Sequence, residues 1–228
     1  MRKLLLVLLS CAGMLSATPI TLSFTSSSDG SSAVEVDLTI DNVTKDGQDY
    51  IAIRADVVGG YYGDIVAMYI NFDDPYPTDL TASRFSVEKY DNNLEKLIVQ
   101  TNPTVTLKND QVTSIKSASW ANMNGTISFD AGVLIGDQGI GKTDIDPATV
   151  FIRTTGLTNP LTMDNIVNVG LRLQSVGIEA DVREGSCKLV YTPDESTNVP
   201  EPATLSLLGA GLLIVGLLRR KHKRFFDC

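Results

Sequence analysis

Alternation of apolar and polar residues dominates the middle of the chain. From Ala33 to Ile40, Val34, Val36, Leu38 and Ile40 alternate with Glu35, Asp37 and Thr39. Ile51 to Val57 repeats the pattern, and so does Ile166 to Val176, where Val167, Val169, Leu171 and Leu173 alternate with Asn168, Gly170 and Arg172. A period of two is the signature of a strand with one face buried. Further strands are predicted at Ile65–Phe72, Arg84–Tyr90, Leu94–Gln100, Val112–Trp120, Thr126–Phe129, Val150–Thr154 and Cys187–Tyr191. Turn residues separate them: Asp46-Gly47, Gly59-Gly60, Asp73-Asp74-Pro75, Asp91-Asn92-Asn93, Asn124-Gly125, Asn159-Pro160 and Glu184-Gly185. Short strands with frequent turns, and one brief helical segment at Thr162–Ile166, predict an all-β fold. The expected form is an antiparallel, jelly-roll-like β-sandwich.

The two ends break this pattern. Arg2 and Lys3 precede an apolar stretch from Leu4 to Leu15, and Ser16-Ala17 supplies small residues before Thr18-Pro19. That layout reads as a signal peptide over residues 1–17. Leu8-Leu9-Ser10-Cys11 offers a competing lipoprotein cleavage box, with a shorter apolar run before it than such regions carry. At the other end, the polar stretch Thr192–Asn198 reads as a linker. Pro200-Glu201-Pro202 then holds the chain extended. Ala203 to Leu218 follows, with nine Leu, Ile or Val residues, worth about −3 to −5 kcal/mol of membrane insertion before its polar residues are counted. It is a short transmembrane helix, below the roughly 20 residues that a bilayer core takes. Arg219, Arg220, Lys221, Lys223 and Arg224 cannot cross, so they hold their end in the cytoplasm and leave residues 18–191 outside.

Val-Pro-Glu-Pro-Ala-Thr, a short Leu/Gly-rich span and an Arg-rich cluster resemble the PEP-CTERM sorting signal of Gram-negative-type bacteria, over about Val199 to Arg224. The resemblance implies that Pro200, Glu201 and Pro202 are recognised by an exosortase, a membrane cysteine enzyme that cuts near this element. It implies a transient anchor at about 203–218 and a membrane stop at the basic cluster. The chain departs from the pattern in ending Phe225-Phe226-Asp227-Cys228 after the basic residues. By the same analogy the setting is one of exopolysaccharide production.

Removing both ends changes the charge. The leader takes two basic residues; the tail takes five basic and one acidic. What remains, Thr18 to Pro202, carries 12 basic against 26 acidic residues, a net charge of −14. Such a domain does not seek nucleic acid or anionic lipid. Cys187 is its one cysteine, read as a small buried hydrophobe on a strand, so no internal disulfide supports the fold. The single histidine, His222, lies in the tail, which leaves the exported part without a Ser-His or Cys-His pair or a histidine metal ligand.

One motif points elsewhere. Gly136-Asp137-Gln138-Gly139-Ile140-Gly141-Lys142-Thr143 fits the phosphate-loop pattern G-x-x-x-x-G-K-S/T. A working phosphate loop opens a helix, whose N-terminus completes the anion site. Here Asp146-Pro147 and a β-branched run to Gly156 leave no room for one. The match reads as a glycine-rich loop between strands, with no nucleotide. The loop also fails the calcium-loop template, since glycine stands where oxygen ligands are needed. Asp144 with Asp146, or Asp73 with Asp74, could contribute to an irregular structural calcium site, against the plainer reading of solvated surface charge. Tyr61, Tyr62, Tyr69, Tyr76 and Trp120 are the aromatic residues that could stack on sugar rings. Tyr69 sits within a strand and is expected in the core; Trp120 is the strongest candidate for a glycan contact. No pair among the acids stands out as a glycosidase dyad.

The sequence therefore predicts an exported, exosortase-sorted surface or matrix protein. Its β-sandwich is expected to be structural or adhesive rather than enzymatic, with no catalytic residue, no metal ligand and no cofactor beyond the calcium just weighed. The alternatives are a carbohydrate-binding module and, after it, a secreted hydrolase.

Overall fold

A computed structural model describes residues 20–25, 34–74, 77–116, 118–119, 128–137, 144–178 and 185–191. All lie within one compact unit, Pro19–Pro193. Thirteen strands follow in order: β1 (Ile20–Thr25), β2 (Glu35–Lys45), β3 (Gln48–Val58), β4 (Tyr62–Phe72), β5 (Phe85–Asp91), β6 (Lys96–Gln100), β7 (Val105–Val112), β8 (Ser114–Ile115), β9 (Ala118–Ser119), β10 (Phe129–Leu134), β11 (Ile145–Arg153), β12 (Ile166–Gly177) and β13 (Gly185–Tyr191). They form a six-stranded sheet, β1-β2-β3-β11-β5-β6, a five-stranded sheet, β13-β12-β4-β10-β7, and the small ribbon β8-β9. Every pairing is antiparallel.

The alternation predicted from sequence is the alternation observed, except that Val167, expected on the buried face of β12, is exposed at a register shift against β4. On β2, Val36, Leu38 and Ile40 are fully buried while Glu35, Asp37 and Thr39 are half-exposed. β3 buries Ile51, Ile53 and Ala55, and β11 buries Ala148, Val150 and Ile152, in register with them. The β2–β3 hairpin closes at Asp46-Gly47, with φ of 52° and 71°. Two consecutive left-handed residues make the tight turn that matches strand twist, and Asp-Gly supplies it readily.

β4, at the centre of the second sheet, is buried from Gly63 to Ile70. Met68 and Ile70 pair with Leu171 and Val169 on one face. On the other face, Tyr69 packs its ring 5.4 Å from Phe129 and donates its hydroxyl to Ala118 O at 2.6 Å. Burial pushes the Tyr69 phenol up to about 12. Val66, Ala67, Val112, Ile115, Ala118 and Phe129 complete this cluster, so the β8-β9 ribbon lids what would otherwise be an open sheet face. Gly132 stands opposite Tyr69, and a Cβ there would meet Val112 at 3.1 Å and the Tyr69 ring at 3.4 Å. Tyr69 is thus a core residue, as its place in a strand predicts.

Several boundaries differ from expectation. Val112–Trp120 is not one strand: the chain ends β7 at Val112 and turns through β8 and β9 around Lys116, whose φ is 49°. β7 lies where no strand is predicted, because Val105-Thr-Leu-Lys-Asn-Asp-Gln-Val112 is an edge strand with four exposed residues in a row. β11 begins at Ile145 rather than Val150 and carries Pro147, which sits in the register shift between Ile145 and Ala148, where a missing N–H costs no ladder bond. β10 extends five residues beyond the predicted end, to Leu134. The helical segment at Thr162–Ile166 is a single 3-10 turn, Met163–Asn165. The signal peptide and the transmembrane helix lie outside the described residues; among the described residues no helix is long and apolar enough to cross a membrane.

Asp130 ties β10 to both neighbours. It is 2 % exposed, and its carboxylate accepts Phe72 N and Asp110 N, each at 2.8 Å, while its own N–H donates to Asn71 Oδ1 at 2.9 Å. Burial makes its carboxyl hold the proton more tightly than an ordinary carboxylate, opposed by those two N–H donors. Asp130→Ala leaves two N–H groups without their acceptor and is expected to cost about 2–5 kcal/mol. Asp130→Asn keeps one acceptor oxygen and is expected to cost less. Urea denaturation of the three proteins checks the order.

Candidate functional site

The described residues form an open cleft of about 530 Å³. It opens at the β2–β3 hairpin end of the six-stranded sheet. Its walls come from three separate stretches: Asn42–Thr44 with Asp49-Tyr50, then Thr154–Leu157, then Pro160–Thr162. Register brings them together, since Tyr50 pairs with Val43 on one side and Arg153 on the other.

Hydrogen bonds fix the walls. Thr44 donates its hydroxyl to Asp49 Oδ1 at 2.8 Å; Asp49 N donates to Thr155 Oγ1 at 2.7 Å; Thr154 N donates to Asp49 O at 2.8 Å. The following loop is held from three further sides. The Arg84 guanidinium donates to the carbonyls of Arg153, Thr155 and Gly156. Asp79 accepts Thr158 N at 2.7 Å and its hydroxyl at 3.0 Å, which hold the Asp79 carboxyl below its usual range. Asn42 Oδ1 accepts Met163 N at 3.0 Å. The lining is thus neutral apart from Asp49. It is rich in hydroxyl groups, with Val43, Leu157, Leu161, Pro160 and the Tyr50 ring as apolar surface. Tyr50 is itself steadied by an edge contact with Phe151, centroids 6.2 Å apart at 83°. A cleft of hydroxyls around one aromatic ring, with Asp49 as its single charged side chain, suits a polyhydroxy ligand better than a nucleotide.

The opposite end of β3 and β11 holds Asp144 and Asp146, one of the two acidic pairs that the sequence offers for calcium. Buried acids at this end bond to backbone instead. Asp146 Oδ1 accepts Val57 N at 2.8 Å, and Asp64, fully buried, accepts Ile145 N at 2.9 Å. Lys89, 8 % exposed, donates Nζ to Ile135 O, with Asp137, Asp64 and Asp91 as the surrounding charges. Asp91 accepts Asn93 N and Leu94 N, closing the β5–β6 turn. Asp73 and Asp74 are exposed. Among the described residues no group of three or more acidic, histidine or cysteine side chains comes together to hold a metal ion, so the calcium suggestion finds no site there.

The phosphate-loop match is resolved by its flanks. The strand before it, β10, runs antiparallel to both neighbours, and β11 follows it directly from Ile145. Among the described residues, neither the parallel strand nor the helix that a phosphate loop requires flanks the motif. Ile135 N and Gly136 N both donate to Val66 O, at 2.8 and 3.1 Å, binding the start of the segment to β4. Residues 138–143 lie outside the described residues, as do Trp120 and Tyr76. Tyr61 is half-buried and Tyr62 is exposed at the β3–β4 turn, at the end of β3 away from the cleft. Cys187 is fully buried on β13, as expected for a small apolar side chain.

Residues 198–221 match the family model of the PEP-CTERM protein-sorting motif. The match contains Pro200, Glu201, Pro202, Arg219, Arg220 and Lys221, and stops short of Lys223 and Arg224. It covers 24 of 228 residues. These sorting residues lie outside the described residues, so the motif stands on sequence. It implies export, a C-terminal tail anchored in the membrane before processing, and an exosortase as the processing enzyme. No curated protein and no solved structure matches the chain.

Burial pushes the Asp146 carboxyl from 3.8 up to about 7, with Asp56 and Asp144 adding to the rise and the Val57 N–H opposing it. The folded chain therefore keeps a proton that the unfolded chain releases. This contribution to stability is full below pH 3.8 and is lost as pH climbs to about 7. In Asp146→Asn the Val57 bond persists and the titration is gone. Melting temperatures of the two proteins are expected to shift in favour of the variant between about pH 4 and pH 8. A difference that stays constant across that range would contradict the assignment.

Proposed function

We propose that this chain is a structural or adhesive protein, without enzymatic activity, that is delivered to the bacterial cell surface or extracellular matrix by its sorting tail. The observation that carries the proposal is the sorting motif at residues 198–221. Before processing, the short apolar segment at about 203–218 spans the inner membrane and residues 18–191 face outward. Afterwards the domain is at the surface or free outside. The nested strand order supports a jelly-roll-like sandwich, since β3, β11 and β5 neighbour one another in one sheet and β4, β10 and β7 do so in the other. The absence of histidine from the domain and the structural use of its buried acids favour a scaffold over a hydrolase. The intact mass of the protein from its host's surface and medium tests the proposal. A chain ending near Pro200–Pro202 is expected; a chain retaining Arg219 onward would mean a plain membrane anchor and would sink the sorting reading.

The cleft favours a second reading, a carbohydrate-binding module for a neutral stretch of exopolysaccharide. Its specific support is the hydroxyl-lined wall around Tyr50. Retention on a broad glycan array, lost at least tenfold in Tyr50→Ala with the melting temperature held, is the expected result. Retention that is indifferent to Tyr50 would move the glycan contact elsewhere on the domain.

A further inference from the structure

We propose that β6 is a self-pairing edge, through which two copies of this chain join their six-stranded sheets. The inference stands on the surface of the domain and is independent of how the tail is processed. Among the described residues β6 ends the larger sheet, and no described strand lies beside one side of its backbone. Six large apolar side chains are exposed among the described residues, and three of them, Leu94 at 66 %, Leu97 at 58 % and Val99 at 56 %, fall in this one hairpin. Phe85, Val87, Lys89 and Asp91 bury the inner face of β5. Leu97 pairs with Tyr90 and Val99 with Glu88, which places both apolar side chains on the outer face of the sheet, beside the Tyr90 ring.

Edge strands are ordinarily blunted by charge, irregularity or short length. β7, an edge of the other sheet, follows that rule: it carries Lys108 and Asp110, the latter at φ 48°, and its pairing with β10 shifts register. β13 carries Lys188. β6, Lys96-Leu97-Ile98-Val99-Gln100, has one charge, at its first residue, and no register shift against β5.

A second copy fits because the strand complements itself. Antiparallel pairing about a two-fold axis at Ile98 sets Leu97 opposite Val99 of the second copy, twice, and Lys96 opposite Gln100. That register pairs all five residues and keeps the two lysines from facing each other. Gln100 Oε1 is buried without a hydrogen-bond partner among the described residues, and the second copy's Lys96 ammonium arrives opposite it. The outer face then carries Tyr90, Leu97, the second copy's Val99 and its Glu88 in one row, repeated by symmetry in the next. The product is one continuous twelve-stranded sheet from two six-stranded ones. The seam is far smaller than the roughly 1,200–2,000 Å² of a stable interface. Pairing is therefore weak in dilute solution and strengthened where copies are crowded on a surface.

Sedimentation velocity of the chain recovered from its host tests this, over a series of loading concentrations. The expected result is a mass rising from one chain toward two. Leu97→Lys with Val99→Lys sets like charges opposite each other and is expected to weaken association by roughly tenfold or more, as is Leu97→Glu with Val99→Glu. Both changes lie at exposed positions, and an unchanged melting temperature confirms that each variant is folded. Mixed in equal amounts, the two variants are expected to recover the dimer, because each lysine then meets a glutamate. A wild-type chain that stays monomeric throughout, a variant that still dimerises alone, or a mixture that does not recover would overturn the proposal.

Discussion

Protein groups meet the backbone where the chain passes from β10 to β11, and the rest of the architecture depends on that. Crossing between sheets exposes backbone groups that no ladder satisfies, and a buried donor or acceptor left alone costs about 1–3 kcal/mol. Asp64 meets the N–H of Ile145 from the facing sheet, Lys89 meets the carbonyl of Ile135, and Val66 O takes two N–H groups at the end of β10. Charge in the core is thus placed where backbone needs it. Lys89 is held there at the expense of its own protonation, since burial lowers its affinity for the proton while Asp137, Asp64 and Asp91 restore part of it. With these groups matched, the alternating valines, leucines and isoleucines of β2, β3 and β11 close over one another.

Strands buried on one face were readable because their side chains record which way they point. β2, β3, β5 and β12 all show it, and the Asp46-Gly47 turn announces its hairpin in two residues. β7 hides because it is an edge whose exposed positions follow one another, which erases the period of two. β10 and the start of β11 hide for a related reason: Asp130, Gly132 and Asp144 are buried polar or small residues that read as loop until their partners are known. The sorting tail is the reverse case. Its chemistry is local, a rigid proline pair, an apolar run and a cationic stop, so twenty-odd residues suffice to read it.

The cleft left almost no trace in the sequence. Its walls are contributed by residues more than a hundred positions apart, such as Asp49 and Thr155, and none of them belongs to a recognisable spacing. What sets its shape is the clamp of Arg84 on the carbonyls of Arg153, Thr155 and Gly156 and of Asp79 on Thr158. Each is an ordinary surface residue by composition. Conversely, the phosphate-loop match was conspicuous in sequence and finds no support in its flanks, because β10 and β11 supply neither the parallel strand nor the helix that give such a loop its meaning. Local pattern identified function only where function is itself local.

Cys187 is the only cysteine among the described residues and is wholly enclosed on β13. An exported domain built this way is indifferent to the redox state of its surroundings. It draws on no thiol oxidase or disulfide isomerase during maturation and has no bridge for a reductant to open. Copies crowded together outside the cell have no accessible thiol on this domain through which to become cross-linked.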